Sequence, residues 1–331
     1  METLETSFGT LSGIANFMAY GDGSLKSCIL NKENRIQSAA GELIPQYRAA
    51  ELGQRQKKYR SSLDFYRNGA IKSAALQEAM PLATPLGTFK AELVTFYDDG
   101  SINRLFPLNG QIDGYWSEQQ EGALAETLDF DLPVGKFRAK IISLAFYRSG
   151  ALKSVTLWPG QRITIDTPAG AMDARTGFSL FESGALRSVE PARPIELATP
   201  IGLIKAYDEE MLGMNADQNS VQFAEDGSLR SLKTIHTGLR VRLPEAVGEM
   251  TIEPLEAASY IDVTDTRTVP MRIDFESERI VVEAARTYRF ELSETRIATF
   301  ERARVIRESC CGGCSEGPCD GCEGGDACCR S

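Results

Sequence analysis

The chain is built from short segments in which apolar and polar residues alternate on either side of a glycine. Six such segments, among them FYRNGAIKSA and FYRSGALKSV, align on Gly23, Gly69, Gly100, Gly150, Gly184 and Gly227. Alternation with a period of two is typical of a β-strand that buries one face. The residue before each of these glycines is Asp, Asn or Ser, which is typical of a hairpin turn. The pattern therefore predicts six β-hairpins that turn at these glycines.

The residues that flank each turn glycine predict how the two strands pair. Leu or Ile always stands two residues after the glycine, and an aromatic residue stands three residues before it in all but one segment. A two-residue loop at Asp-Gly or Asn-Gly pairs these two positions, for example Tyr66 with Ile71, whereas the Ser-Gly segments fit a three-residue loop. Such an aromatic–aliphatic pair contributes about 0.2–1 kcal/mol.

A second glycine motif lies upstream of the hairpins. Segments such as TPLGTF, LPVGKF and TPIGLI place a glycine just before a short apolar strand, at Gly9, Gly41, Gly87, Gly135, Gly170, Gly202 and Gly248. Each repeating unit is thus predicted to consist of a turn, a strand, a hairpin and a strand. One unit alone cannot bury its apolar face, so neighbouring units must stack or pair edge to edge.

These patterns predict an all-β fold. Residues 1–248 are expected to form an elongated antiparallel β-hairpin repeat array, a single-layer or solenoid-like sheet with short helical insertions. One insertion, GYWSEQQEGALAETLDF, is predicted to carry a helix from Glu118 to Leu128. Residues 249–309 still alternate, although less regularly, and are predicted to be a divergent β unit that caps the array. Residues 310–331 are predicted to be a disordered, Cys-rich tail.

The hairpin segments resemble the bacterial variant of the MORN repeat, a short unit of the form YYxNGxLK found in tandem in many proteins, including some labelled antitoxin-like. The resemblance covers motifs scattered between Phe17 and Leu232. The longer, original MORN unit carries a tryptophan and a His-Gly-x-Gly ending, and neither recurs here. This departure argues against transferring the lipid-binding role linked to some MORN proteins. The resemblance implies an elongated antiparallel sheet that serves as a scaffold or binding surface, with no common enzymatic activity.

The charge balance argues against nucleic acid as a general partner. The chain has 36 Lys and Arg against 46 Asp and Glu, and its net charge of −10 repels phosphates at long range. One basic run, RQKKYR, holds Arg55, Lys57, Lys58 and Arg60. We interpret this run as a solvated face of a helix or strand, with a local basic patch as the alternative.

The sequence also predicts a cytoplasmic protein with no membrane span. No apolar run approaches the roughly 18 residues that a membrane helix needs. The first residues, METLETSFGTL, contain acidic side chains and no basic region before an apolar stretch, unlike a secretory signal.

The C-terminal segment concentrates the cysteines. Only Cys28 lies in the body, whereas the others are Cys310, Cys311, Cys314, Cys319, Cys322, Cys328 and Cys329. Two C-x-x-C pairs, at 311–314 and 319–322, each let two thiolates face one ion, and together they make a tetrahedral shell for zinc. The pairs stand closer together than in a zinc finger and no apolar residue is present to form a core, so the segment resembles a metallothionein-like thiolate cluster. A small Fe–S site, modified or redox-active thiols, and idle thiols are the alternatives.

Few other residues suggest chemistry. His236 is the only histidine, and no Gly-x-Ser-x-Gly elbow or phosphate-binding glycine loop is present, so a structural role is expected for it. Trp158 precedes a Pro-Gly turn and is expected to pack against the fold. Tyr115 and Trp116 form an aromatic pair in an insertion, which would suit a partner surface if exposed and core packing if buried.

The sequence alone favours a non-enzymatic protein that acts as a scaffold or binding protein. Its expected partner is a protein, and its Cys-rich tail is expected to bind a soft metal such as zinc. One alternative is a redox or Fe–S electron-transfer protein that uses the tail thiolates. The other is an antitoxin-like protein that binds a specific partner.

Overall fold

The computed structural model describes residues 3–51, 53–209, 219–243, 248–259 and 266–302. Within these ranges the chain forms 29 strands and one short helix, and the hairpin strands pair antiparallel. The all-β, antiparallel hairpin fold predicted from the repeats is confirmed.

The strands follow one another closely along the chain. The first ten are β1 (Thr3–Thr6), β2 (Gly9–Ser12), β3 (Ile14–Ala19), β4 (Leu25–Leu30), β5 (Ile36–Ser38), β6 (Gly41–Leu43), β7 (Leu63–Phe65), β8 (Ile71–Thr84), β9 (Gly87–Phe96) and β10 (Ile102–Phe106). After helix α1 (Glu118–Leu124) come β11 (Leu128–Leu132), β12 (Gly135–Ala139), β13 (Ile141–Phe146), β14 (Leu152–Leu157), β15 (Ile163–Thr167), β16 (Gly170–Leu180), β17 (Leu186–Pro191), β18 (Ile195–Thr199) and β19 (Gly202–Ala206). The last ten are β20 (Val221–Phe223), β21 (Leu229–Thr234), β22 (Thr237–Arg242), β23 (Met250–Ile252), β24 (Leu255–Ala258), β25 (Thr266–Val269), β26 (Met271–Phe275), β27 (Arg279–Glu283), β28 (Thr287–Glu291) and β29 (Arg296–Glu301).

One sheet of 16 strands organises the molecule. Its strands are ordered from β3 at one end to β28 at the other, in the order of the chain, with β15 attached to β16. The six predicted hairpins lie side by side in it, as β3–β4, β7–β8, β9–β10, β13–β14, β16–β17 and β20–β21. Strands β26, β27 and β28 extend the same sheet beyond β21.

All six hairpins turn through three-residue loops, which differs from the two-residue loops expected at Asp-Gly and Asn-Gly. The amide of Gly69 donates to the carbonyl of Tyr66 at 3.0 Å, and the amide of Tyr66 donates to the carbonyl of Ala70 at 2.8 Å. The register consequently moves by one residue, so that Ile71 pairs with Phe65 instead of Tyr66. The extra loop residue is a glycine with φ of 82°, a left-handed conformation that favours glycine.

In four hairpins the residue three before the glycine is a tyrosine whose hydroxyl contacts the next hairpin. The hydroxyl of Tyr66 donates to the carbonyl of Phe96 at 2.9 Å. Equivalent bonds of 2.8–2.9 Å join Tyr20 to Phe65, Tyr97 to Phe146 and Tyr147 to Leu180. These four tyrosines, which we call the tyrosine ladder, link five consecutive hairpins.

A second set of short hairpins covers one face of the large sheet. The upstream glycines begin the second strand of hairpins such as β1–β2, β5–β6, β11–β12 and β18–β19. Their apolar side chains join those of the sheet in one core, where Phe137 of β12 meets Phe178 of β16 edge-to-face at 5.8 Å. Phe8 likewise stacks on Phe65 at 5.8 Å. Four of these upstream hairpins form separate two-stranded sheets, whereas those at Gly87 and Gly170 are continuous with strands of the large sheet.

The helix in the second insertion is shorter than predicted. Helix α1 begins after Ser117, whose hydroxyl accepts from the amide of Gln120 while the Gln120 side chain accepts from the amide of Ser117. This reciprocal cap is a standard helix start. The helix ends at Leu124 instead of Leu128, because strand β11 starts at Leu128 and pairs with β12.

Candidate functional site

A cleft of about 1090 Å³ lies where two insertions meet the first strands of the large sheet. Residues 46–50 and 53–57 of the first insertion line it, together with Gln111, Asp113 and Tyr115 of the second. Residues of β4, β8 and β9 line it between them, including Leu30, Gln77 and Glu92. The sheet supplies the fixed part of this site, and the insertions supply most of its side chains.

Arg55 is the centre of a buried ion-pair network beside the cleft. Its guanidinium donates to both oxygens of Glu92, at 2.9 and 2.8 Å, and to both oxygens of Glu121, at 2.5 Å each. The three side chains are only 17%, 10% and 3% exposed. Bidentate pairs of this kind fix orientation as well as adding energy. Arg55 thereby ties the first insertion to β9 and to α1.

The two carboxylates are fully supplied with donors. Glu92 also accepts from the backbone amide of Asn109 at 2.8 Å. Glu121 also accepts from the amide of Gly110 at 2.8 Å and from the indole Nε1 of Trp116 at 2.7 Å. Burying charges is costly unless their remaining hydrogen-bonding positions are satisfied. This network meets that condition and holds the 109–116 loop against the sheet.

The charges of the network are stabilised by one another. Burial on its own would raise the pKa of Glu121, but the hydrogen bonds from Arg55 and Trp116 overcome it and the pKa is lowered. Burial would likewise lower the pKa of Arg55, and its hydrogen bonds to Glu121 and Glu92 raise it instead. The network therefore favours the charged forms of Arg55 and Glu121.

Lys57 is held in the wall of the cleft by backbone carbonyls. Its Nζ donates to the carbonyl oxygens of Leu76 and Gln77, the latter at 2.8 Å. Burial is the largest influence on Lys57 and lowers the pKa of its ammonium. The side chain of Gln77 accepts in turn from the amides of Tyr47 and Arg48 at 2.9 and 3.0 Å. These bonds fix the wall formed by the first insertion.

The rim of the cleft presents exposed recognition groups. Tyr115 is 72% exposed, and its position is set by Asp113, whose carboxylate accepts from the amides of Tyr115 and Trp116 at 2.8 and 3.0 Å. In the part of the cleft formed by the first insertion, the exposed Arg48 guanidinium lies 5.0 Å from the ring of Tyr47. The side-chain oxygen of Gln46 is buried there and has no hydrogen-bond partner among the described residues.

The structure separates the residues within two segments that the sequence had treated as single features, the basic run and the aromatic pair. The run RQKKYR is not simply a solvated face, because Arg55 and Lys57 are partly buried while Lys58 and Arg60 are exposed. The aromatic pair also separates. Trp116 is half-buried and hydrogen-bonded to Glu121, whereas Tyr115 points outward at the cleft.

Trp158 packs beneath helix α1, as expected for a packing role. A Cβ atom on Gly122 would lie 2.7 Å from the Trp158 indole nitrogen, so the helix approaches this closely only with glycine there. Lys140 adds a hydrogen bond from its Nζ to the Gly122 carbonyl at 2.7 Å. Helix α1 is thus anchored on both sides, by Trp158 and by Arg55.

A second buried polar group lies further along the sheet, around Glu190 of β17. Its oxygens accept from the amide and hydroxyl of Ser220 at 2.7 and 2.9 Å, and Arg175 approaches within 3.7 Å. Lys233 pairs with the nearby Asp208 at 3.2 Å. Burial raises the pKa of Glu190 to about 7, and the bonds from Ser220 and the charge of Arg175 offset only part of that rise.

The remaining predicted residues fall into three groups. The six turn glycines lie at hairpin turns and all have positive φ. His236 stacks on Tyr207 at 6.1 Å, and Cys28 is buried in the sheet, where burial raises the pKa of its thiol to about 12. The seven tail cysteines lie outside the described residues, and within those residues no group of three or more His, Cys, Asp or Glu side chains is arranged to hold a metal.

Comparison with known proteins does not assign a family. No protein-family model, no curated protein and no solved structure matches the chain. The similarity to the MORN variant therefore stays a prediction. In the part of the chain that the structure covers, no helix has the length and apolar character required to cross a membrane.

The buried acidic residues of these networks are not marked by any motif in the sequence. Glu92 stands alone among the apolar residues of AELVTF, and Glu190, in the second buried polar group, follows Val189 in RSVEP. A single acid inside a strand pattern is a signal of a buried pair, since an unpaired buried carboxylate is costly. Which arginine pairs with it depends on contacts between distant segments.

Proposed function

We propose that this chain is a non-enzymatic binding scaffold and that its cleft takes a segment of a partner protein. The observation that carries the proposal is the construction of the cleft, with fixed walls and exposed rim groups. Arg55, Glu92 and Glu121 hold the walls in place before any partner arrives. A preformed site loses less conformational entropy on binding.

The rim groups favour a polypeptide that carries a carboxylate. Tyrosine and arginine are the side chains that most often dominate binding at protein interfaces. Tyr115 and Arg48 both line the cleft and both are exposed. The unpartnered oxygen of Gln46 adds an acceptor suited to a backbone amide of the bound segment.

The test is a display selection of short random peptides against the purified full chain. We expect the selected peptides to contain Asp or Glu, and Tyr115→Ala and Arg48→Ala each to weaken their binding by roughly tenfold or more. Leu203→Ala is the matched control, because Leu203 is 58% exposed but lies on β19 away from the cleft. Recovery of no binding peptide, or equal binding by all variants, would contradict the proposal.

The tail carries a second proposed function, the binding of a soft metal such as zinc. The pairs Cys311-x-x-Cys314 and Cys319-x-x-Cys322 support it, because each places two thiolates within reach of one ion. Metal capture ionises the thiols and releases protons, so affinity is expected to fall as the solution is acidified.

Elemental analysis of protein purified without oxygen tests the metal proposal. We expect bound metal in the wild type and loss of most of it in the double variant Cys311→Ser, Cys319→Ser. The variant Cys28→Ser is the control, since Cys28 is buried and should leave the metal content unchanged. A brown protein that contains iron would favour the Fe–S alternative, and the absence of bound or titratable metal would exclude both.

A further inference from the structure

The two ends of the large sheet differ in chemistry. Strand β28 forms one end and β3 the other, and each has a single strand neighbour among the described residues. A free strand edge exposes unpaired backbone amides and carbonyls, which promote pairing with another chain unless charges or turns block it.

The β28 end is protected by charge. Its sequence, TYRFE, places Arg289 and Glu291 on the exposed strand, and the guanidinium of Arg286 covers the Tyr288 ring at 4.8 Å. Phe290 is buried against the core and only 5% exposed. This strand therefore combines one buried apolar residue with the charges expected at a terminal edge.

The β3 end has the composition of an interior strand. Its sequence is IANFMA, without a charged residue, and closely parallels the interior strand β13, IISLAF. In β13 five of the six residues are buried, whereas in β3 only Ile14 is buried. Phe17 and Met18 are 46% and 56% exposed. Since neighbouring residues of a strand point to opposite faces, both faces of this edge are apolar.

The strand register shows that an apolar row of the sheet ends exposed at strand β3. Phe17 pairs with Cys28, which pairs with Leu63, and Leu63 pairs with Ala74 in one continuous apolar row across the sheet. Cys28, Leu63 and Ala74 are at most 1% exposed, and exposure rises only at Phe17, where the row ends. One more strand beside β3 would bury Phe17 like the rest of its row.

We propose that this strand is β3 of a second copy of the chain, paired antiparallel across a twofold axis at Phe17. A twofold axis makes the contact self-complementary and brings two identical edges together in antiparallel orientation. Phe17 then faces its own copy on one face of the joined sheet, and Asn16 faces Met18 of the other copy on the opposite face.

Charge supports a second copy at this edge. The chain has a net charge of −10, which opposes close contact between copies over most of the surface. Strand β3 contains no ionisable side chain, so two copies can meet along it without placing like charges opposite each other. Strand β28 differs, because Arg289 and Glu291 are exposed charged residues of the kind that disfavours edge-to-edge pairing.

Sedimentation of the full chain in reducing buffer with a chelator tests the proposal, because these conditions prevent association through the tail thiols. We expect a dimer for the wild type and for the control Leu203→Lys. We expect monomers for Met18→Lys, which changes an exposed side chain, and for Phe17→Lys and Phe17→Glu, which set like charges opposite each other. Circular dichroism of each variant confirms that it is folded.

A mixing experiment then tests the twofold axis itself. If Phe17 faces its own copy, a mixture of the Phe17→Lys and Phe17→Glu variants recovers the dimer, because opposite charges now face each other. A monomeric wild type, an open-ended polymer, or a dimer that is insensitive to Met18→Lys would overturn the proposal. Failure of the mixture to associate would overturn the placement of the axis at Phe17.

Discussion

The hydroxyl of Tyr97 donates a hydrogen bond of 2.9 Å to the carbonyl of Phe146, and so joins the third hairpin to the fourth across an insertion. The guanidinium of Arg148, from the fourth hairpin, lies 4.6 Å from the Tyr97 ring. Tyrosine at this repeat position thus connects neighbouring units by a hydrogen bond and a cation–π contact. The repeated tyrosine is explained by contacts between hairpins, whereas the sequence had suggested a contact within one hairpin.

Removing one hydroxyl of the tyrosine ladder is expected to weaken the array. Tyr97→Phe leaves the Phe146 carbonyl without its donor and should lower the free energy of unfolding by about 0.5–1.5 kcal/mol in urea denaturation. Tyr115→Phe is the control, because Tyr115 is 72% exposed, and it should leave the stability unchanged. Equal stabilities for wild type and Tyr97→Phe would show that the ladder contributes nothing.

Substitution of two turn glycines, Gly69 and Gly150, is expected to lower the stability of the protein by different amounts. Both Gly69 and Gly150 have positive φ, so replacement by Ala strains the backbone by about 1 kcal/mol. At Gly150 the new Cβ would also lie 2.9 Å from Cγ of Pro85, whereas nothing lies within 4 Å at Gly69. Thermal melts should therefore rank Gly150→Ala below Gly69→Ala, with the Val variants lower at both positions. The reverse order would contradict the packing of the Pro85 turn on the fourth hairpin.

Breaking the buried network is expected to be costly. Arg55→Ala leaves the carboxylates of Glu92 and Glu121 buried without their cation, which should destabilise the protein by about 3–5 kcal/mol. Combining Arg55→Met with Glu92→Gln and Glu121→Gln should recover part of that loss, since none of the three side chains then carries a charge. Arg60→Ala, at an exposed position of the same run, serves as the control and should change stability by less than about 0.5 kcal/mol.

Stability is expected to depend on pH through Glu190. The pKa of Glu190 is raised from 4.5 to about 7 by burial, so between these values the folded protein binds more protons than the unfolded chain. Its contribution to the free energy of unfolding is therefore full below about pH 4.5 and is lost as the pH rises toward 7. Denaturation at fixed ionic strength should show a flatter pH dependence over this window in Glu190→Gln. Glu283→Gln, at an exposed position of β27, should retain the wild-type slope.

Deletion of the tail is expected to leave the body intact. The segment after Arg307 contains no apolar side chains suited to form a core, so a chain that ends at Arg307 should melt at nearly the same temperature as the full chain. A fall of many degrees would show that the tail packs against the sheet. The same truncated chain should bind no soft metal if the tail cysteines are the ligands.

Local features were predictable because turn chemistry acts over a few residues. The motif of Asp, Asn or Ser followed by glycine located all six hairpins, and the alternation on either side identified the strands. The loop length was predicted incorrectly for Asp-Gly and Asn-Gly. The same dipeptide fits two-residue and three-residue loops, and in the observed longer loop Tyr66 forms its bond to the next hairpin.

The candidate site was only partly predictable. The sequence located the insertions and the pair Tyr115 and Trp116, but it did not show that Trp116 would be tied to Glu121 while Tyr115 stayed exposed. The RQKKYR run was predicted to be a solvated face, although Arg55 and Lys57 are partly buried. Charge and hydropathy along the chain do not reveal a buried salt bridge whose partners are 37 and 66 residues apart.

The sequence by itself determined that this chain is an antiparallel β-hairpin array, because each turn and each alternating strand is specified by adjacent residues. Only the tertiary structure decided which surfaces are buried. The second layer of hairpins, the Arg55 network and the exposed edge at Phe17 all arise when segments distant in the chain pack together. Burial depends on the neighbours that a residue acquires in space, and those neighbours are set by the order and register of the whole sheet.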